Sequence, residues 1–180
     1  MERLSADDIF AFLQQAPVGR LTLYDPRTRS VRVTPLLFAY GGGRIFFISQ
    51  PGNKLETLRA HPSGVTLQAD EDRGDEWISV LAVGRYSDVQ GRSTRAEALL
   101  LLAEKYRLAF ARQVLAQAQA ALRQGPAGIR RALSGATVGC IAIERASGRR
   151  FRTALTASNQ SIQSGLHVSK ELPDADLLRR

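Results

Sequence analysis

The stretch from Val18 to Ser49, VGRLTLYDPRTRSVRVTPLLFAYGGGRIFFIS, limits the possible folds more than any other part of the chain. Val18, Arg20 and Thr22 alternate with Leu21 and Leu23, and the alternation returns through Val31-Arg32-Val33-Thr34. A period of two is the mark of a half-buried strand, and Asp25-Pro26 and Gly41-Gly42-Gly43 supply turns between the runs. The pattern predicts three antiparallel strands in a meander. Pro35 falls inside the second strand, and because proline brings no ladder N–H, that strand belongs at an edge or carries a bulge.

The rest of the chain extends the same picture. Ser5 followed by Asp8 and then by Ile9, Phe10, Phe12 and Leu13 predicts a capped helix ending before Pro17. GVTLQAD and EWISVLAVGRYSDVQ read as two further strands joined by a polar connection from Asp70 to Glu76. Thr94 with Glu97 forms a capping-box pair, from which a long helix is expected to run to about Leu122. TVGCIAIER is a strand again, Ser147-Gly148 a turn, and the tail holding ASNQSIQSG irregular. Several short strands with one long helix predict an α+β fold, mainly β: an antiparallel split barrel with an N-terminal helix and a long helix after residue 93. The expected division is a single domain over 1–180. Segments 1–92 and 135–150 form the barrel, 93–134 a helical insertion and 151–180 a C-terminal tail.

Composition narrows the function classes. No apolar run approaches the roughly 18 residues that would cross a bilayer, and the acidic start MERLSADD lacks the basic-then-apolar pattern of a secretory signal. A cytoplasmic, soluble domain with no membrane partner is expected. Cys140 is alone, so no internal disulfide forms, and with only His61 and His167 beside it no zinc-type ligand set can be assembled. The net charge of +8 comes mostly from scattered arginines, not from one basic face interleaved with aromatics, which makes a nucleic-acid partner unlikely. Neither histidine has a nucleophile placed near it by spacing, so hydrolase chemistry is disfavoured. His61 reads as a turn residue, Trp77 as packing and Cys140 as inert core.

Two features point to a ligand and a partner. In QPGNKLETL, Asn53 can cap a helix with Glu56 returning the bond; Gly52 permits close approach, and Lys54 adds a cation beside first-turn N–H groups. That combination suits a phosphate. In the long helix, Leu99, Leu102, Tyr106, Phe110 and Val114 fall on one side, and Leu101, Leu108, Leu115 and Leu122 nearly opposite. One stripe packs on the barrel; the second calls for another partner, and a homodimer through the barrel and the long helix is expected.

Taken in order, VGRLTL, RVTPLLF, RIFFIS, GNKLETLRAHP, GVTLQAD and WISVLAVGRY resemble the FMN-binding split barrels, the group of pyridoxamine 5'-phosphate oxidase and the nitroimidazole-resistance (Nim-type) proteins. The resemblance covers about residues 5 to 90 and the strand at 137 to 145. Its most telling parts are Trp77, Ser79, Val80 and Gly84, with one extra residue before Val83, and the strand leading to Lys54 and LRAHP. It implies FMN as cofactor, with Lys54 at the phosphate next to Asn53. The backbone of Thr34, Pro35 and Leu36 would lie along the flavin ring. Ile48, Ser49 and Gln50 would contact ring and ribityl chain, with Ser79 as a further contact. It also implies a pocket at a dimer interface.

Two departures stand out. Ile48 occupies the position of the Nim-type histidine, and Asn53-Lys54 replaces the oxidase's Arg-Lys pair, leaving Arg20 or a partner arginine to supply the second charge. No residue presents itself as a proton donor. The implied activity is therefore an FMN-dependent oxidoreductase reducing a small electron-poor acceptor, nitroaromatic or quinone-like. The competing readings are a barrel holding haem or a deazaflavin, and a binding module without turnover.

Overall fold

A computed structural model describes residues 1–107 and 136–152. It has an eight-stranded antiparallel sheet and three helices: β1 (Glu2–Arg3), α1 (Ala6–Gln15), β2 (Gly19–Asp25), β3 (Ser30–Leu36), β4 (Ala39–Gly41), β5 (Arg44–Ser49), α2 (Asn53–Ala60), β6 (Val65–Asp72), β7 (Glu76–Asp88), α3 (Arg92–Lys105) and β8 (Thr137–Arg152). The strands lie in the order β3-β2-β6-β7-β8-β5-β4, with β1 pairing on β8. This is the α+β split-barrel class that the strand pattern predicts.

The expected meander is corrected. Its first half is a hairpin, β2 on β3, and its second half another, β4 on β5, but the two lie at opposite ends of the sheet path. The predicted second strand is broken at Leu37-Phe38, where Phe38 turns its whole side chain into the core. With β3 terminal on the path, Pro35 sits on an edge strand, opposite Arg20.

At that break the backbone of Phe38 has no strand partner among the described residues, and Tyr106 serves it. The Phe38 N–H donates to the Tyr106 hydroxyl at 3.1 Å, and the hydroxyl proton is shared between the carbonyls of Pro17 at 2.7 Å and Phe38 at 2.8 Å. One phenol thus joins the two ends of the sheet path to the end of α3. Tyr106→Phe keeps the ring and strips these groups of their partner, so it should cost about 1–3 kcal/mol of stability. Urea unfolding followed by circular dichroism measures it; an unchanged midpoint would show that the bond contributes nothing.

α1 begins as predicted: the Ser5 hydroxyl accepts from the Asp8 N–H and Asp8 returns a bond to the Ser5 N–H, a complete capping box. α3 does not. Its N-cap is Gly91, Thr94 makes no capping bond, and Glu97 instead receives two bonds at 3.2 Å from Arg44 of β5. α3 ends at Lys105 with Tyr106 as its C-cap. The expected run toward Leu122 lies outside the described residues, as do the tail from 153 and the distal parts of both predicted stripes. Leu99 and Leu101 both pack on the second apolar cluster with Ile48 and Val89, while Leu100 is the exposed leucine.

Ser147-Gly148 is not a turn. β8 continues through it for 16 residues, because Gly148 pairs with Val80 of β7 while its carbonyl accepts from the Leu4 N–H at 3.1 Å. The main core is built from the inward residues of the barrel and from Ile9, Phe12 and Leu13 of α1.

Candidate functional site

β5 is buried on both faces. Ile45 and Phe47 enter the main core, while Phe46 and Ile48 enter the second cluster beneath α3. Ser49, at the strand end, is buried and donates its hydroxyl proton to the Gln50 carbonyl at 3.1 Å. The chain then turns at Gly52, whose φ of +148° is left-handed-side backbone that a side chain would strain.

The capping-box expectation for Asn53 and Glu56 is corrected at this point. The N-cap is Gly52, Asn53 is already the first helical residue, and no side chain caps the helix. Because the turn demands glycine at the cap position, the helix gains its bend and forgoes a capping oxygen. The Glu56 N–H donates to the Gly52 carbonyl at 3.2 Å, so the earlier N–H groups of the first turn are left without a side-chain acceptor. Lys54, in that turn, is half-buried, and burial holds its ammonium below the usual lysine range. None of the ion pairs among the described residues includes it. Uncapped N–H groups beside an unpaired cation make a local environment that favours an anion.

α2 is fixed in place by a clamp that sequence reading missed. Arg59 holds Asp88 at the end of β7 through Nε at 3.0 Å and a terminal nitrogen at 2.9 Å, and also donates to Thr137 Oγ1 of β8 at 3.4 Å. The Tyr86 hydroxyl donates to the same carboxylate. Burial pushes the Asp88 carboxyl up, but the bonds from Arg59 and Tyr86 outweigh it and keep it below the ordinary range. Burial, then the Asp88 bond, raises the Tyr86 phenol. The signal available in the sequence was Arg59 within LRAHP and the two-residue spacing of Tyr86 and Asp88, which places both on one face of a strand.

Ser49, Gln50 and Asn53 lie on the link from β5 into the first turn of α2, and the other predicted residues lie on separate elements. Pro35 and Ser79 share the outward face of the sheet, Pro35 opposite Arg20 and Ser79 opposite Asp70. Thr34 pairs with the buried Leu21 and so faces inward, half-covered, as does the buried Leu36 opposite Gly19. Ile48 lies under α3 and Gln50 is exposed at the strand exit. Arg20, the candidate second cation, is committed to Asp70, which also accepts from Gln68 at 2.7 Å. Two cavities of about 330 and 340 Å³ lie among the described residues, one under Tyr24 and His61, the other between Gln14 and Lys105; neither is lined by a predicted cofactor contact.

Comparison with known proteins gives a consistent family. Residues 5–150 match the family model described as pyridoxamine 5'-phosphate oxidase. A crystal structure of a FAD-binding protein from Mesorhizobium loti is 27% identical over 83% of this chain and 97% of that one, with a TM-score of 0.61. A putative 5-nitroimidazole antibiotic resistance protein from Bacteroides thetaiotaomicron shares the fold at 14% identity, covering 83% and 87% of the two chains with a TM-score of 0.61. A FAD-binding protein from Mycobacterium smegmatis does so at 18% identity, 84% and 100% coverage and a TM-score of 0.57. An uncharacterized protein from Rhizobium meliloti is 34% identical over 58 residues, which are 32% of this chain and 38% of that relative's length.

Proposed function

The chain belongs to the pyridoxamine 5'-phosphate oxidase family, and we propose that it is a homodimeric flavoprotein that binds FMN and reduces a small electron-poor acceptor, nitroaromatic or quinone-like. The observation that carries this reading is the uncapped first turn of α2 with half-buried Lys54 in it. Phosphate monoester oxygens are the acceptors that such N–H groups and an unpaired ammonium favour. The residues therefore fit the group.

The remaining contacts follow from the same reading. β3 is the terminal strand of the path, so among the described residues one side of its backbone has no strand partner, and the groups of Thr34 to Leu36 are available to a flat polar ring. Ser49 and Gln50 stand at the exit from β5, directly before the phosphate turn, with Asn53 next to Lys54. Ser79, on the outward face, reaches a ligand held between two copies. Dimerisation is supported by that face: Tyr24, Val31 and Val33 are exposed at one end, and Trp77, Leu81 and Phe151 at the other. Two groups of exposed apolar side chains on one sheet face are better covered than solvated. Its occupant in this reading is a second copy of the chain.

Bound flavin supplies the electron-transfer chemistry. The protein's part is to neutralise the phosphate, fix the ring and exclude water. With Ile48 packed beneath α3, no imidazole stands at that position to move a proton, which favours a reductase of acceptors over an amine oxidase. None of the described helices is long and apolar enough to cross a membrane. A reducing, cytoplasmic setting suits a chain with one buried cysteine.

A second reading is FAD in place of FMN, favoured by the description of the 27% identical Mesorhizobium loti structure as a FAD-binding protein. A pyrophosphate would use the same first-turn N–H groups. The deciding experiment is a visible absorption spectrum of purified protein, followed by titration with FMN and with FAD. Tighter uptake of FMN is expected. Uptake of FAD alone would favour the second reading, and uptake of neither would move the assignment to haem, a deazaflavin or a module without turnover.

A further inference from the structure

The last residue of α3, Lys105, reaches a cavity remote in sequence from α2. The space measures about 340 Å³ and is lined by Gln14, Ala39, Tyr40, Leu101, Glu104 and Lys105. The Lys105 ammonium donates to the Leu13 carbonyl at 3.1 Å and lies 4.1 Å from the centre of the Phe38 ring. Part of its role is structural. Leu13 offers one of the four terminal carbonyls of α1, a helix with no basic residue in its last turn, and the neighbouring Phe12 carbonyl is already taken by the Ala16 N–H.

A cap of this kind needs only a cation, and the setting of this one goes further. The amine is half-buried over an aromatic ring, and the ion pairs among the described residues leave it out. Among the described residues, the titratable groups beside it are Glu104 of its own helix and Tyr40 of β4, which line the same cavity, and Tyr106, whose ring centre lies 5.7 Å from the amine; α1 contributes Gln14 to the cavity and the Leu13 carbonyl to the amine. Burial without a carboxylate partner lowers its pKa to about 8. Roughly a tenth of it is then free amine at pH 7, against roughly one part in a few thousand for an ordinary lysine.

We propose that Lys105 is a reactive amine that captures small neutral aldehydes from this cavity as imines. Ala39, Leu101 and the ring of Tyr40 provide an apolar wall for the body of such a compound, while the Glu104 carboxylate disfavours an anionic keto acid. In the step, the amine nitrogen bonds to the carbonyl carbon to give a carbinolamine, and both amine protons leave with the carbonyl oxygen as water. Nothing is oxidised or reduced. Desolvated lysines near apolar walls are the ones that perform this chemistry.

The chain contains only two other lysines, Lys54 and Lys170, whose butylation is followed alongside. The full-length protein is treated with butanal and cyanoborohydride at neutral pH, and butylation of each lysine is followed by peptide mass mapping. Lys105 is expected to react about tenfold or more faster than a lysine in an unstructured peptide, from its larger free-amine fraction, and alone among the three to show a rate that saturates in butanal. Lys105→Arg retains a cation on the Leu13 carbonyl and should abolish the fast phase. A Lys105 rate no faster than that of the peptide lysine, a Lys105 rate linear in butanal, or a fast phase that survives in the arginine variant would overturn the proposal.

Discussion

Gly84→Ala should remove a large share of this protein's stability. A Cβ added at that position would lie 2.1 Å from the Ala142 carbonyl oxygen and 2.8 Å from its carbon, and both are backbone atoms of the paired strand. The site is the β-bulge where the register of β7 on β8 shifts between Val83 and Gly84, leaving Glu144 as the extra residue. A flexible side chain could swing away; a hydrogen-bonded strand cannot. The expected cost is about 3 kcal/mol or more, at the upper end of overpacking penalties, against a total stability that for such domains is about 5–15 kcal/mol. The effect should extend to α2, because beyond the bulge β7 carries Asp88, the anchor for Arg59. Urea unfolding and soluble yield measure it. A variant with the parental midpoint would show that the bulge rearranges freely.

Lys54→Glu should weaken flavin binding by about a hundredfold or more while leaving the fold intact. Removing a charge-assisted contact to phosphate loses about 1.5–3 kcal/mol, and a carboxylate in its place adds repulsion. Stability should hardly fall, since the wild-type ammonium is held below its ordinary pKa by burial and has no ion-pair partner among the described residues.

The same shift predicts a pH dependence of binding. In the free protein burial disfavours charged Lys54, whereas bound phosphate favours it, so the lysine's pKa is higher in the complex than before binding. Affinity is full below the free-state pKa. It declines as pH rises through the interval between the two values, and binding there takes up a proton. Fluorescence titration with FMN at rising alkaline pH tests this. A pH-independent affinity in the wild type, or equal affinity in the glutamate variant, would remove Lys54 from the site.

Individual elements were legible in the sequence wherever a local interaction decides them. The α1 capping box spans four residues, and Ser5 and Asp8 carry it by themselves. The strands of the barrel likewise follow from alternation. Failure came where a distant residue changes the outcome. Thr94 and Glu97 have capping-box spacing, but Arg44 from β5 claims the glutamate. Ser147-Gly148 has turn chemistry, but pairing with β7 on one side and Leu4 on the other keeps it extended. The meander was misread because alternation says that a strand exists and nothing about its neighbour; the apolar Leu37-Phe38 link, with no turn residue in it, was the one hint of a break. For the site, QPGNK located the helix start within one residue, whereas the clamp from Arg59 to Asp88 spans 29 positions, and the spacing of Tyr86 and Asp88 does not say which arginine they meet.

The order of the strands also dictates a timetable. β8 pairs with β7, β5 and β1, yet it is the last of the eight to emerge during synthesis. Until it arrives, β5 can hold only its short partner β4, and Glu2 and Arg3 wait for Arg149 and Arg150 nearly the whole described length away. The nascent chain therefore carries two half-sheets with open edges, and closure is a late, long-range event of the kind that folds slowly and is open to aggregation. A ribosome-bound chain stopped before Thr137 would display those edges to any chaperone or sister chain within reach.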